Sequence, residues 1–177
     1  MTTWDDDERW ELIDSVRYNM TQTPGTRHQV ILGNLLVEFA NLLRGKPYHL
    51  YIGPLDVRLP KADESDDQVD TVVQPDLLII CDPKKLDDAG CRGAPDLIVE
   101  ILTPLTAGKD LKLKFEPYER AGVREYWIVW PVYEVVQVYS LGGNGTYGRP
   151  AVYDENNQTQ VGIFPELMID LSVVFGE

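Results

Sequence analysis

An α/β architecture (α+β in the stricter sense), with a mixed central sheet, flanking helices and peripheral β-hairpins, follows from three patterns in this 177-residue chain. Apolar residues recur at helical spacing between Thr26 and Arg44. Two runs, QPDLLIICD at 74–82 and APDLIVEIL at 94–102, carry apolar side chains on both faces, as central strands do. Beyond Glu125, short strand-like runs alternate with turn residues. Strands outnumber helices, so a single mixed sheet with at least one helix on a face is the expected core. The length and the 44% hydrophobic content suit one packed domain spanning 1–177.

Residues 11–20, ELIDSVRYNM, form a hairpin centred on Asp14-Ser15. Pro24 and Gly25 break the chain before the first helix. Its stripe is Ile31, Leu32, Leu35, Leu36, Phe39, Leu42 and Leu43, and it ends at Gly45 and Pro47. His28 lies on that stripe. YHLYIGPLDVRLP gives two short strands flanking Gly53-Pro54, and KADESDDQVD at 61–70 is expected to be a mobile acidic loop outside the core. VVQPDLLIICD follows as one central strand, then PKKLDDAGCRG as a polar excursion with one helical turn. In DLIVEIL, Asp96, Ile98, Glu100 and Leu102 share one face, and Leu97, Val99 and Ile101 the other.

Thr103-Pro104 has the form of an N-cap with proline at the first helical position. Leu111, Phe115, Tyr118 and Gly122 share one face of the helix that follows, and Gly122 closes it. Pro117 removes a backbone bond from the helix interior and predicts a kink or a shortened second half. EYWIVW and VVQVYSL are two strands joined by the turn at 131–134. The glycine-rich turn at 142–145, the run TYGRPAVY, the turn DENNQTQ and the segment LMIDLSVVF complete the chain.

No apolar run reaches membrane-spanning length, and the acidic start MTTWDDDERW lacks the basic-then-apolar order of a signal peptide. Cys81 falls in an apolar strand and Cys91 in a polar loop, which favours two reduced thiols over a disulfide. A cytoplasmic protein with no membrane partner is expected. The net charge of −13 opposes binding to a polyanion. Residues 81–130, however, hold 8 of the 16 Lys and Arg against 9 acidic side chains. A local basic surface and a mixed solvated face explain that count equally well.

A carboxylate inside an apolar strand is costly unless it is paired, protonated or bound to a metal. Asp76 and Glu100 both occupy such positions, and Lys114 follows on the next helix. Two carboxylates grip a hard cation such as Mg²⁺ or Mn²⁺ through oxygen. With an ammonium to steady the nucleophile or the developing charge, the set suits metal-assisted chemistry on phosphate. Each residue has a plainer role open to it. Asp76 could be a hydrated strand-end cap, Glu100 could form a buried salt bridge with Lys114, and Lys114 could pair with Asp110 on the helix surface. Such a helix pair is worth about 0.2–0.5 kcal/mol. Tyr118, one turn past Lys114, fits either a hydrogen bond near the site or core packing, and Asp56 and Asp110 are further candidates. His28 is expected to face the core. With His49 beyond the helix end and the cysteines poorly spaced, a zinc site has little to work with.

The order VQPDLLIICD, GCRGAPDLIVEIL, a threonine-containing turn, KDLKLKF and YERAGVREYWIVWP resembles the Uma-two family of restriction-endonuclease-like proteins, within the PD-(D/E)XK nuclease superfamily. The resemblance runs from the ELIDSVRYNM hairpin through RHQVILGNLL and DVRL to VYSL. It implies a restriction-endonuclease-like fold, a Mg²⁺-dependent endonuclease acting on DNA phosphodiester bonds, and Asp76 and Glu100 as metal-binding acids. The superfamily lysine usually stands two residues after the glutamate, where this chain has Leu102; in this family it sits on the helix, matching Lys114. Ser15 stands where the family often has glycine, Trp130 where an aspartate usually precedes the proline, and Pro117 interrupts the helix. Three rival readings differ in class: a catalytically silent relative that binds DNA or protein, a two-carboxylate hydrolase such as a glycosidase, and a module that forms a homodimer through edge strands of its C-terminal hairpins.

Overall fold

The computed structural model describes residues 9–20, 24–103 and 107–176. The acidic start at 1–8 and Pro104 of the expected helix cap lie outside the described residues, as does the side chain of Asp110. In chain order the strands and helices are β1 (Trp10–Ile13), β2 (Val16–Asn19), α1 (Thr26–Leu43), β3 (His49–Ile52), β4 (Val57–Arg58), β5 (Val72–Val73), β6 (Leu77–Ile80), β7 (Leu86–Asp87), β8 (Gly90–Arg92), β9 (Leu97–Ile101), α2 (Ala107–Ala121), β10 (Glu125–Trp130), β11 (Val135–Ser140), β12 (Ala151–Asp154), β13 (Gln158–Val161), β14 (Phe164–Asp170) and α3 (Leu171–Phe175).

The strands build more than the single sheet expected. One six-stranded sheet runs β12-β11-β10-β9-β6-β3, a second runs β2-β1-β5-β4-β8-β7, and β13-β14 pair as a hairpin. In the first, β9 and β10 are parallel while β6 is antiparallel to β9, so it is mixed as expected. Strand alternation divides its side chains between two cores. Leu77, Ile79, Leu97, Val99, Ile101, Trp127 and Val129 pack with the α1 stripe of Ile31, Leu35 and Phe39 and with α3. On the opposite face Leu78, Ile80, Ile98, Leu102, Tyr126 and Ile128 meet Tyr118 of α2 and Val57 and Val73 of the second sheet. Glu100 belongs by parity to this second face. It is a carboxylate set among apolar neighbours.

The expected single strand VVQPDLLIICD is broken. β5 belongs to the second sheet and β6 to the first, and Gln74-Pro75-Asp76 carries the chain between them. Pro75 has no N–H for a ladder, which makes it a natural crossing point. Gly53 N donates to Asp76 O at 2.9 Å, and a Cβ at Gly53 would come within 2.8 Å of Pro75 O, so only glycine allows this approach. The hairpin turn at Asp14-Ser15 is as expected. Both residues have positive φ, 46° and 66°, as a two-residue turn matched to strand twist requires.

Two further expectations change. The acidic stretch 61–70 is tied down, because Val69 is buried, Asp66 pairs with Arg58 and Arg92, and Asp70 pairs with Lys61. α2 is not shortened by Pro117 and continues to Ala121. One missing backbone bond is outweighed where Tyr118 and Lys114 on either side of the proline are buried by tertiary contacts. Cys81 and Cys91 are free thiols, as expected. Among the described residues no helix is long and apolar enough to cross a membrane.

Candidate active site

β6 and β9 pair with Leu77 opposite Val99 and Leu78 opposite Ile98. Continued by one residue, that register sets Asp76 opposite Glu100. Directly opposed residues of an antiparallel pair point to the same face, so the two acids share one surface of the sheet. Asp76 is anchored at the strand end. Its Oδ2 accepts from Ile101 N at 2.7 Å, and its Oδ1 lies 3.2 Å from His28 Nε2 in the first turn of α1. The side chain remains 25% exposed.

Glu100 Oε1 accepts from Lys114 Nζ at 3.0 Å and from Tyr118 Oη at 2.6 Å. Helical spacing explains the convergence, since residues 114 and 118 sit one above the other on α2. Burial is the largest influence on Glu100 and pushes its carboxyl up to about 8; Lys114 opposes the rise, and Asp76 and Glu11 add to it. Burial likewise holds the Tyr118 hydroxyl far above its ordinary value, so it stays a donor.

The three residues singled out from the sequence thus lie around one cluster. Lys114 is not a surface residue of the helix: it is 1% exposed and bridges Glu100 and Glu11. Glu11 escaped the sequence reading. Its Oε1 lies 2.8 Å from Lys114 Nζ and also accepts from Gln74 N at 2.8 Å. The signal was present, since the turn at Asp14-Ser15 sets the parity of the hairpin and puts Glu11 on the inward side with Ile13. His28 is core-facing as expected but touches Asp76. Its Nδ1 is buried with no hydrogen-bond partner among the described residues. If Nε2 donates to Asp76, Nδ1 carries the lone pair. Asp56 reaches the cluster only through Gln74: its Oδ1 accepts from Gln74 Nε2 at 2.8 Å, on the wall of a cavity of about 420 Å³ that also includes Glu11, Arg9 and Arg17.

Among the described residues no three His, Cys, Asp or Glu side chains converge to enclose a metal ion.

A model of the Uma2 family, described as "Putative restriction endonuclease", matches residues 2–172. The chain belongs to the Uma2 family. Among solved structures, this Uma2 chain is similar to that of a "putative nuclease belonging to DUF820" from Anabaena variabilis ATCC 29413, with a TM-score of 0.74 at 17% identity over 94% of this chain and 89% of the other. At that identity the likeness shows a shared fold. No curated protein matches the Uma2 chain.

Proposed function

We propose that the protein is a divalent-metal-dependent nuclease that hydrolyses DNA phosphodiester bonds, with Asp76 and Glu100 as cation-binding acids and Lys114 as the fixed positive charge beside them. One observation carries this reading. Two carboxylates, Glu11 and Glu100, stand against the Lys114 ammonium in a buried cluster, and a third, Asp76, is close enough to raise the cost of ionising Glu100. Like charges in such a setting demand a proton or a cation. The donor set fits a hard cation: Mg²⁺ characteristically takes one or two carboxylates and fills its remaining positions with water and substrate phosphate. The partly exposed Asp76 gives access for both. The description of the Uma2 family as "Putative restriction endonuclease" and of the Anabaena protein as a "putative nuclease" supports the same reading.

The chemistry supplied by such a cation when bound is Lewis-acid polarisation of a phosphoryl oxygen. The chain's own residues do the rest. His28 and Ile101 N hold the Asp76 carboxylate in one orientation, and Tyr118 and Lys114 do the same for Glu100. Lys114 lowers the cost of ionising Glu100 in its buried position and offsets negative charge that develops nearby. Glu11 fixes Lys114 from the far side and positions without touching substrate.

The test is incubation of purified protein with supercoiled plasmid and Mn²⁺ or Mg²⁺, compared with EDTA. Metal-dependent nicking that disappears in Asp76→Asn and Glu100→Gln is the expected result. Equal nicking by wild type and both variants, or none by folded wild type at high protein excess, defeats the proposal. A second reading draws on the pairing of Lys114 with Glu11 and Glu100, which equally suits a structural network in a catalytically silent relative that binds DNA or protein. DNA binding retained without turnover favours it.

A further inference from the structure

Where the parallel strands β9 and β10 end, a cavity of about 360 Å³ opens between Leu102 and Thr103, Ala107 at the start of α2, and Trp130, Val132 and Tyr133 of the turn after β10. Trp130 and Tyr133 also line a second cavity of about 280 Å³ toward Gln137. Their ring centroids are 6.2 Å apart and tilted by 55°. Trp130 is fixed in place, its Nε1 donating to Gln137 Oε1 at 3.2 Å. Val132 and Tyr133 are 71% and 70% exposed. Val132 and Tyr133 are thus presented to solvent, beside a Trp130 ring that is half-buried against the second core.

We propose that this aromatic cleft is a stacking site for an unpaired nucleobase, which makes single-stranded or locally opened nucleic acid the substrate class; this rests on the nuclease reading above. Position supports it. Leu102 lies two residues past Glu100 and shares its face of β9, so the cleft opens on the side of the sheet that carries the acid. Neighbouring residues of α1 tie the two places together: Arg27 contacts Glu134 of the same turn, and His28 contacts Asp76. The carboxyl ends of parallel strands are where ligands commonly enter such sheets. Size supports it as well, because ligand cavities begin at about 300 Å³ and a duplex is far too wide to enter one. Chemistry gives the last reason. Every base has a π-face, so stacking on tryptophan and tyrosine binds without regard to sequence.

The test measures anisotropy of a labelled oligothymidylate and of a labelled hairpin duplex at low salt in EDTA, with wild type, Trp130→Ala, Tyr133→Ala and Glu100→Gln. Wild type is expected to bind the single strand more tightly than the duplex. Each aromatic variant should weaken single-strand binding by roughly 5- to 100-fold. Tyr133 is too exposed for its loss to unfold the protein, so that variant keeps the test valid if Trp130→Ala misfolds. Absence of single-strand binding by wild type, or equal affinity in Tyr133→Ala, overturns the proposal. So does a change of oligomeric state in Tyr133→Ala without loss of oligonucleotide affinity, which assigns the face to a second copy. Tyrosine-dependent binding by a protein that nicks nothing with any divalent metal leaves the cleft standing and sinks the nuclease reading. Metal-dependent nicking with an unchanged KM for single strands in Tyr133→Ala does the reverse.

Discussion

Glu11 Oε1 stands 2.8 Å from Lys114 Nζ, and each side chain is only 1% exposed, so the first hairpin and the helix α2 meet in a fully buried ion pair. Glu100 reaches the same ammonium at 3.0 Å. Removing the ammonium from among these carboxylates should therefore cost far more than removing one of the acids. Lys114→Met is expected to lower unfolding free energy by about 3–5 kcal/mol, because it leaves the buried Glu11 carboxylate without its cation. Glu11→Gln should cost less, since the amide oxygen still accepts from Gln74 N and one negative charge leaves the cluster. Urea unfolding of both variants gives the ranking, and a Lys114→Met protein as stable as wild type refutes it.

Tyr118 donates to Glu100 Oε1 at 2.6 Å inside the same core. Tyr118→Phe keeps the ring packed and deletes only this donor. A loss of about 1–3 kcal/mol is expected, toward the upper end when Glu100 is ionised. The urea midpoint should fall with the slope unchanged. Coincident unfolding curves would mean that the short bond contributes nothing net.

Burial raises the Glu100 carboxyl from its ordinary 4.5 to about 8. Between those values the unfolded chain has released a proton that the folded protein retains. Stability from this group is thus fully present below about 4.5 and is lost as pH rises through about 8. Glu100→Gln cannot ionise and should lack that slope. In metal-free buffer its advantage over wild type is expected to grow from acid to alkaline pH. Parallel stability–pH curves for the two proteins would contradict this.

Much of this arrangement could be read from residue order, for identifiable reasons. α1, β9 and the first hairpin carry strong periodic patterns, and Glu100 stands out because nothing polar surrounds it. The β5–β6 break could not be read, since apolar residues on both sides of Gln74-Pro75-Asp76 look continuous until the two halves are seen to enter different sheets. Glu11 was missed because an acid in a short amphipathic strand looks like a solvent-facing residue unless the parity set by Asp14-Ser15 is followed inward. The contact of His28 with Asp76 joins α1 to a strand end far along the chain, and no local pattern encodes it. The shortening that Pro117 suggests does not occur, because the buried face of α2 outweighs local propensity.

Cation binding is separable from turnover and can be measured as stabilisation. A ligand that binds only the folded state at about 100 times its Kd adds about 2.7 kcal/mol. For a chain of this size that raises the Tm by about 5–10 °C. Wild type with saturating Mn²⁺ should show such a rise, and Asp76→Asn and Glu100→Gln should not. His28→Ala should fall between them, because Asp76 keeps its bond from Ile101 N at 2.7 Å but loses the imidazole that steadies Oδ1. Equal Tm gains in wild type and Asp76→Asn would place any bound cation away from these acids, and with it the metal-dependent chemistry assigned to them.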